Sequence, residues 1–332
     1  PSAGETLSPA HLHQAYPTYF ALTKPYFVGQ KAYASLLPVT DKREFHWEDR
    51  EQPLKRTPLY EEHRRLTRKI IPFAGWEMPV WYTSVAEEHQ AVRRAAGLFD
   101  VAHMGVLEVA GEHATAFLDL VNTNYVRWLR DGQSCYSYLM DPDGHVLDDL
   151  MIYRRRWDRY LVVVNAANTD KDLAWLRAVN AGEVRIDRAN PAMQTPAPVT
   201  IRDLHSAESG ADRLVDLALQ GPRSLAILQS LTGDPRQQRA LARIRRTHFI
   251  ETTLAEIPLI VARTGYTGED IGYELYVHPD HAARLWRLLL ERGEKEGLRP
   301  CGLAARDSTR MEAGLPLYGH ELAGPHDINP AE

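Results

Sequence analysis

The chain has 332 residues, 44% of them hydrophobic and 25% charged, with a net charge of −5 at pH 7. That length suits about two domains, and the balance is that of an ordinary globular protein, without the basic stripe of a nucleic-acid binder or the ~20 apolar residues of a membrane span. Cys135 and Cys301 lie far apart, and the fourteen histidines form no HExxH-like spacing, so neither a disulfide framework nor a metal is expected and a reducing compartment fits.

Residues 1–55 are polar and irregular, broken by Pro9, Pro17, Pro25, Pro38 and Pro53, and read as an extension wrapped on a core that begins near 56. FAGWEMPVWY (73–82) reads as a loop or short strand. Ser84 with Glu87 makes a capping-box pattern and Gly97 supplies a stop, which predicts a helix over 85–96. GVLEVAG (105–111) alternates as a strand, and 112–121 reads as a helix.

A meander follows: SCYSYLM, the turn DPDG at 141–144, HVLDDLMIYR, a turn at RRWDR, then YLVVVNA. Thr169-x-x-Asp172 reads as the cap of a helix running to about 180. Strand patterns recur in VTIRDL, LVDLALQ, THFIETTL, PLIVAR and GYELYV. Among them come a helix opening at Pro222 and an amphipathic one over 280–293. Strands and helices mix without regular βαβ alternation, so the expected class is α+β, with mostly antiparallel sheets and packed helices. No GxGxxG follows a strand and no P-loop motif occurs.

Chemistry concentrates in three places. In HVLDDLMIY, strand alternation puts Asp149, Met151 and Tyr153 on one face and Asp148, Leu150 and Ile152 on the other. An acid with an apolar and an aromatic neighbour on a half-buried face is partly desolvated, which raises its pKa and suits proton exchange; a strand-end pair with nearby arginines is the plainer alternative. Tyr136 and Asn165 come from the flanking strands. In VARTGYTGEDIGYEL (261–275), Gly265 and Gly268 bracket a turn that presents Tyr266 and Glu274. The predicted helix CGLAARDSTRMEAG (301–314) sets Arg306 and Arg310 four apart on one face beside Asp307, to grip a carboxylate or to form internal ion pairs. His103 reads as a buried, satisfied histidine, and RRRWDR (154–159) as a solvated turn.

The strings RTPLYEEH, FAGWEMPVWY, AGLFDVAHMG, GHVLDDLMIY, LVVVNAAN, ALQGPRS, RTGYTGEDIGYEL and GLAARDSTRMEAGLPLYGHEL run in order from about 56 to 322. Together they resemble the aminomethyltransferase, or T-protein, of the glycine cleavage system. The resemblance implies a folate-binding core over 56–322 of two interleaved α+β subdomains, the second roughly 105–190, with 323–332 leading toward a C-terminal barrel that this sequence lacks. It implies transfer of a one-carbon unit from the aminomethyl-lipoyl arm of H-protein to tetrahydrofolate, releasing ammonia and giving 5,10-methylenetetrahydrofolate, without a metal. The expected place is the cytoplasm, or the mitochondrial matrix of a eukaryote. Carried over motif by motif, the catalytic acid falls on Asp149 and the folate contacts on Tyr136, Tyr153, Asn165, Tyr266, Glu274 and Arg306.

ALTKPYFVGQKAY (21–33) is similar to a segment that family members carry beyond the point where this chain stops. Three alternatives stay open: a tetrahydrofolate-dependent methyltransferase using a small methyl donor, a folate-binding scaffold of the iron–sulfur-assembly type, and a folate-binding fragment without activity. For H-protein docking, RRRWDR beside the Asp149 strand is the candidate basic patch.

Overall fold

Short runs of apolar residues broken by turn chemistry give thirteen strands among the residues that the structure, a computed structural model, describes: 42–50 and 52–324. The expectations for most of 1–55, for the 21–33 segment and for nearly all of the tail lie outside them. The elements begin with α1 (Tyr60–Leu66), then a hairpin of β1 (Ile70–Phe73) and β2 (Trp76–Pro79), then α2 (Val85–Arg94). Ser84 caps α2 as expected, accepting from the Glu87 N–H at 3.3 Å.

Gly97 is not the stop of α2. It lies inside β3 (Ala96–Asp100), where a Cβ would stand 2.5 Å from Val92 and 2.8 Å from the Cys301 sulfur. The glycine is there so that α2 can press onto the strand. Next come β4 (Gly105–Ala110) and α3 (Ala114–Val121), then the meander β5 (Gln133–Met140), β6 (Val146–Arg156) and β7 (Arg159–Val164). The chain continues through α4 (Thr169–Asn180), β8 (Thr200–Asp203) and β9 (Val215–Gln220).

The helix expected at Pro222 is the short α5 (Ser224–Gln229), and a second, α6 (Pro235–Arg243), follows with Asp234 as its cap. Then β10 (Phe249–Leu254), β11 (Ile257–Ala262), β12 (Gly272–Val277) and α7 (Pro279–Gly293) lead to β13 (Leu298–Cys301) and α8 (Leu303–Glu312). Among the described residues no helix is long and apolar enough to cross a membrane.

Two sheets carry the fold, in the orders β5-β6-β7-β4-β8 and β10-β11-β12-β9-β3-β13. Every pairing is antiparallel except β13 with β3, so the α+β expectation is met. Each sheet buries one face under helices. Phe117 of α3 and Trp175 of α4 pack on Leu107, Ile152 and Val162, while Trp286 of α7 and Ile227 of α5 pack on Leu217, Val261 and Leu275. Fully buried side chains of this size contribute about 1.5–3 kcal/mol each.

The other two faces meet through a smaller cluster of Val106, Tyr153, Leu161, Phe249, Ile260 and Tyr276. After α8 the segment 315–322 crosses from one half to the other. The Tyr266 hydroxyl donates to the Pro316 carbonyl, Arg310 ties to Leu315 and Glu321, and the Tyr318 hydroxyl donates to the Val146 carbonyl at 3.2 Å.

Candidate functional site between the sheets

Alternation along β6 sends Leu150 and Ile152 toward α3 and α4, and Met151 and Tyr153 into the space between the sheets. Asp149 shares the latter face. Its cross-strand partner is Tyr138, and Tyr136 stands opposite Met151. Tyr136 donates to Asp149 Oδ2 at 2.7 Å, and Asn165 Nδ2 donates to Oδ1 at 2.7 Å. Burial pushes the Asp149 carboxyl above its ordinary value; the Tyr136 hydrogen bond opposes this and the charge of Asp148 adds to it. Burial also pushes the Tyr136 hydroxyl up, so it remains a donor. The strand-end alternative for Asp149 fails, because its partners are a tyrosine and an asparagine rather than an arginine.

Across the gap, Glu274 projects from β12. Its Oε2 accepts from the Tyr153 hydroxyl at 2.9 Å and from the Thr264 hydroxyl, and Tyr276 in turn donates to the Tyr153 oxygen at 2.9 Å. Oε1 has no donor among the described residues, so half of this carboxylate is free to accept. Tyr153 itself is fully buried, so its ring presents no open face.

The loop between β11 and β12 is built differently from its sequence reading. Gly268 takes positive φ (79°), but Gly265 does not. A Cβ at Gly265 would fall 2.0 Å from Gln220 Oε1, so this glycine allows close approach. Gln220 lies 1% exposed beneath the loop, donating to the Thr264 carbonyl at 3.2 Å and accepting from Thr267 at 2.9 Å. Arg93 holds the far side through Glu269 at 2.6 Å and the Thr267 carbonyl at 2.8 Å. Burial pushes the Tyr266 hydroxyl up to about 12, and the Arg306 guanidinium lies 4.8 Å from its ring centroid.

Arg306 has no hydrogen-bond acceptor or ion-pair partner for its guanidinium among the described residues; burial pulls its pKa down, opposed first by Glu274. Arg310 does not share its role. Buried at 3% exposure, it pairs with Asp307 at 2.8 Å and Glu321 at 2.7 Å, which is the internal-ion-pair alternative. Glu88 anchors the start of this helix, accepting from the N–H groups of Gly302 at 2.8 Å and Thr83 at 2.9 Å.

The structure therefore gathers the seven expected residues as three groups: Tyr136–Asp149–Asn165, Tyr153–Glu274 and Tyr266–Arg306. No hydrogen bond joins one group to another among the described residues. Charge does, since Glu274 acts on Arg306 and Asp149 on Tyr266.

Over this architecture, the family model described as the GCVT N-terminal domain matches residues 59–332. The chain belongs to this family. An aminomethyltransferase of Desulfitobacterium hafniense (strain Y51) is 47% identical over 280 residues, covering 84% of this chain and 69% of that relative. One of Bacillus subtilis (strain 168) is 43% identical over 280 residues with the same coverage. The crystal structure of glycine cleavage system aminomethyltransferase T from Bartonella henselae superposes with a TM-score of 0.67 at 35% identity, over 81% of this chain and 65% of that one. The chain thus spans about two thirds of the length of these T-protein family members.

Several neighbours of the site escaped sequence reasoning. Tyr138 alternates with Tyr136 and packs on it edge to face at 5.2 Å, a pattern visible in SCYSYLM. Thr264 and Gln220 carried no signal, because each acts through a loop that closes only in three dimensions. Asp216, on the inner face of β9, is fully buried; burial first and Glu274 second raise its carboxyl well above the ordinary range.

Two expectations need correction. His103 is buried but not satisfied: its Nδ1 has no hydrogen-bond partner among the described residues, and burial with the charge of Arg306 lowers its pKa to about 4. RRRWDR is not a free basic patch, since Arg154 pairs with Asp131, Arg155 with Glu251, Arg156 with Asp158 and Arg159 with Glu108. Neutralised arginines of this kind give little steering toward an acidic partner.

Proposed function

We propose that the chain acts as an aminomethyltransferase of glycine cleavage in the cytoplasm. It would move the one-carbon unit from the aminomethyl-lipoyl arm of H-protein to tetrahydrofolate, with release of ammonia and formation of 5,10-methylenetetrahydrofolate. Membership of the T-protein family carries the reading, and the donor set between the sheets supports it.

A pterin presents an amide N–H and an amino group on one edge, and the open Oε1 of Glu274 suits that edge. Arg306, a partly buried fork of donors without an acceptor, suits a carbonyl or carboxylate of a ligand. Tyr136 and Tyr266 are partly exposed and supply aromatic surface. Folate supplies the nitrogens that receive the one-carbon unit. Asp149, with its raised pKa, holds negative charge beside those nitrogens and takes or returns a proton there. Asn165 and Tyr136 fix its two oxygens. No step calls on a metal or a protein nucleophile. We assign Asp149 the acid–base role and Tyr136, Tyr153, Asn165, Tyr266, Glu274 and Arg306 the folate contacts, within a core over 56–322.

The test supplies the chain with aminomethyl-lipoyl H-protein and tetrahydrofolate and follows methylenetetrahydrofolate and ammonia together. Equal yields of the two are expected. Methyl transfer from small donors without H-protein would put a methyltransferase in its place. Folate binding without either reaction would leave a binding protein, and no folate binding would remove the reading.

A further inference from the structure

Thr169-x-x-Asp172 does not cap α4. The cap position is Asn168 without a side-chain hydrogen bond, and the Thr169 hydroxyl donates back to the Asn165 carbonyl at 3.1 Å. Asp172 instead points inward, 0% exposed, and no donor among the described residues reaches either of its oxygens.

Asn168, at the cap position of α4 four residues before Asp172, donates to Asp148 Oδ1 at 2.6 Å, which brings the Asp148 carboxyl of β6, also 0% exposed, to bear on Asp172. Asp148 is well supplied: Asn165 N–H donates to Oδ2 at 2.9 Å, and Asn165 Nδ2 and Asn168 Nδ2 donate to Oδ1 at 2.8 and 2.6 Å. Two ionised carboxylates buried together repel, whereas one shared proton turns the contact into a hydrogen bond. Asp172, whose oxygens have no donor among the described residues, is the member of the pair that gains a hydrogen bond by carrying the proton.

We propose that Asp172 is held as a neutral acid whose O–H donates to Asp148, and that this makes it a positioning residue for Asp149. Asn165 is the link, because the same Nδ2 that donates to Asp148 also donates to Asp149. An Asp148 carrying one charge orients that amide with its NH2 toward both acids. The charged groups bearing on Asp172 are Asp148 and Asp149 from β6, which with burial favour the protonated form, and Lys171 on its own helix, which opposes it. The positioning role rests on the reading of Asp149 as the acid of the transferase site; the shared proton does not.

Two measurements on the full chain test the proton without reference to activity. A proton kept on folding and lost on unfolding makes stability fall as pH rises above the unfolded aspartate value. The unfolding constant of the wild type should therefore climb about tenfold more per pH unit than that of Asp172→Asn between about pH 5 and 8. Infrared spectra of the wild type at neutral pH should also show the carbonyl stretch of a protonated carboxyl that persists in the double variant Asp149→Asn, Asp216→Asn, since Asp216 is the other buried acid held above the ordinary range. Parallel stability curves, or no such band, overturn the proposal, and the second needs no Asp172 variant to fold.

The positioning role is read from kinetics. Asp172→Leu should lower kcat by roughly tenfold or more, the scale of a buried acceptor losing its donor, with the folate KM nearly unchanged. Asp172→Asn, which still donates to Asp148, should restore most of it. Equal activity of the leucine variant would overturn the role. Absence of transferase activity in the wild type alongside the infrared band would instead count against the reading of the reaction.

Discussion

Asp149 stands between two neutral donors and one like charge, and each has a measurable consequence. Asp149→Asn keeps the shape but can neither hold charge nor accept a proton, so turnover should fall about 100- to 10,000-fold while the thermal midpoint stays or rises. Loss below about tenfold would make the residue structural. Because the folded carboxyl titrates above its ordinary value, kcat/KM that depends on the carboxylate should drop away as pH falls through that raised value. Arg306 gives a contrasting case. Among the described residues its guanidinium has no hydrogen-bond or ion-pair partner to lose, only the Tyr266 ring beneath it, so Arg306→Met should raise the KM for folate with little change in stability, checked by steady-state kinetics beside denaturant unfolding. A large stability loss would show that the guanidinium serves the fold. The face of Asp149 was legible because alternation with period two assigns it. The inward turn of Asp172 was not, since a capping acid and a buried acid share the same spacing.

At the level of elements, the loop between β11 and β12 depends on one side chain beneath it. Gly265→Ala would drive a Cβ into Gln220, disturbing the hydrogen bonds that seat Thr264 and Thr267. Overpacking of this kind typically costs about 1–3 kcal/mol, and folate affinity should weaken with it because Tyr266 rides on the same loop. An unchanged melting temperature and affinity would show that Gln220 yields without consequence.

Strands with one dry and one mixed face, such as β4, β6 and β12, announced themselves in the sequence. β3 did not, because AGLFD is short, carries no polar–apolar alternation and contains Gly97, which reads as a helix stop. β1 and β13 each contain a proline, Pro72 and Pro300, which speaks against a strand until the position is seen to be peripheral: a lone hairpin for one, the sheet edge for the other.

In the whole molecule each sheet owns a large helix-covered core, and the contact between sheets is smaller and partly polar. Arg155 on β6 reaches Glu251 on β10 through two hydrogen bonds of 2.6 and 2.7 Å. Arg155 holds the Glu251 carboxyl below its ordinary range, so its stabilisation is present at neutral pH and is lost as pH falls through that lowered value. Glu251 is 48% exposed, which keeps the pair near about 0.2–1 kcal/mol. Arg155→Glu should destabilise, and the double exchange Arg155→Glu, Glu251→Arg should recover most of the loss in urea unfolding. Recovery of nothing would mean that the arginine stem, not its charge, joins the sheets. Such contacts between residues nearly a hundred positions apart leave no trace in local pattern, which is why RRRWDR read as a solvated turn.

The segment 315–322 touches the Tyr266 loop on one side and, through Tyr318, Val146 and Lys171 on the other. A ligand held between the sheets then has a residence time set in part by how often those ties part. Sequence changes there should be felt in how long folate stays rather than in how fast it arrives. Tyr318→Phe is expected to speed folate release in stopped-flow displacement while leaving the association rate in place, so that two variants with identical contacts to the ligand hold it for different lengths of time.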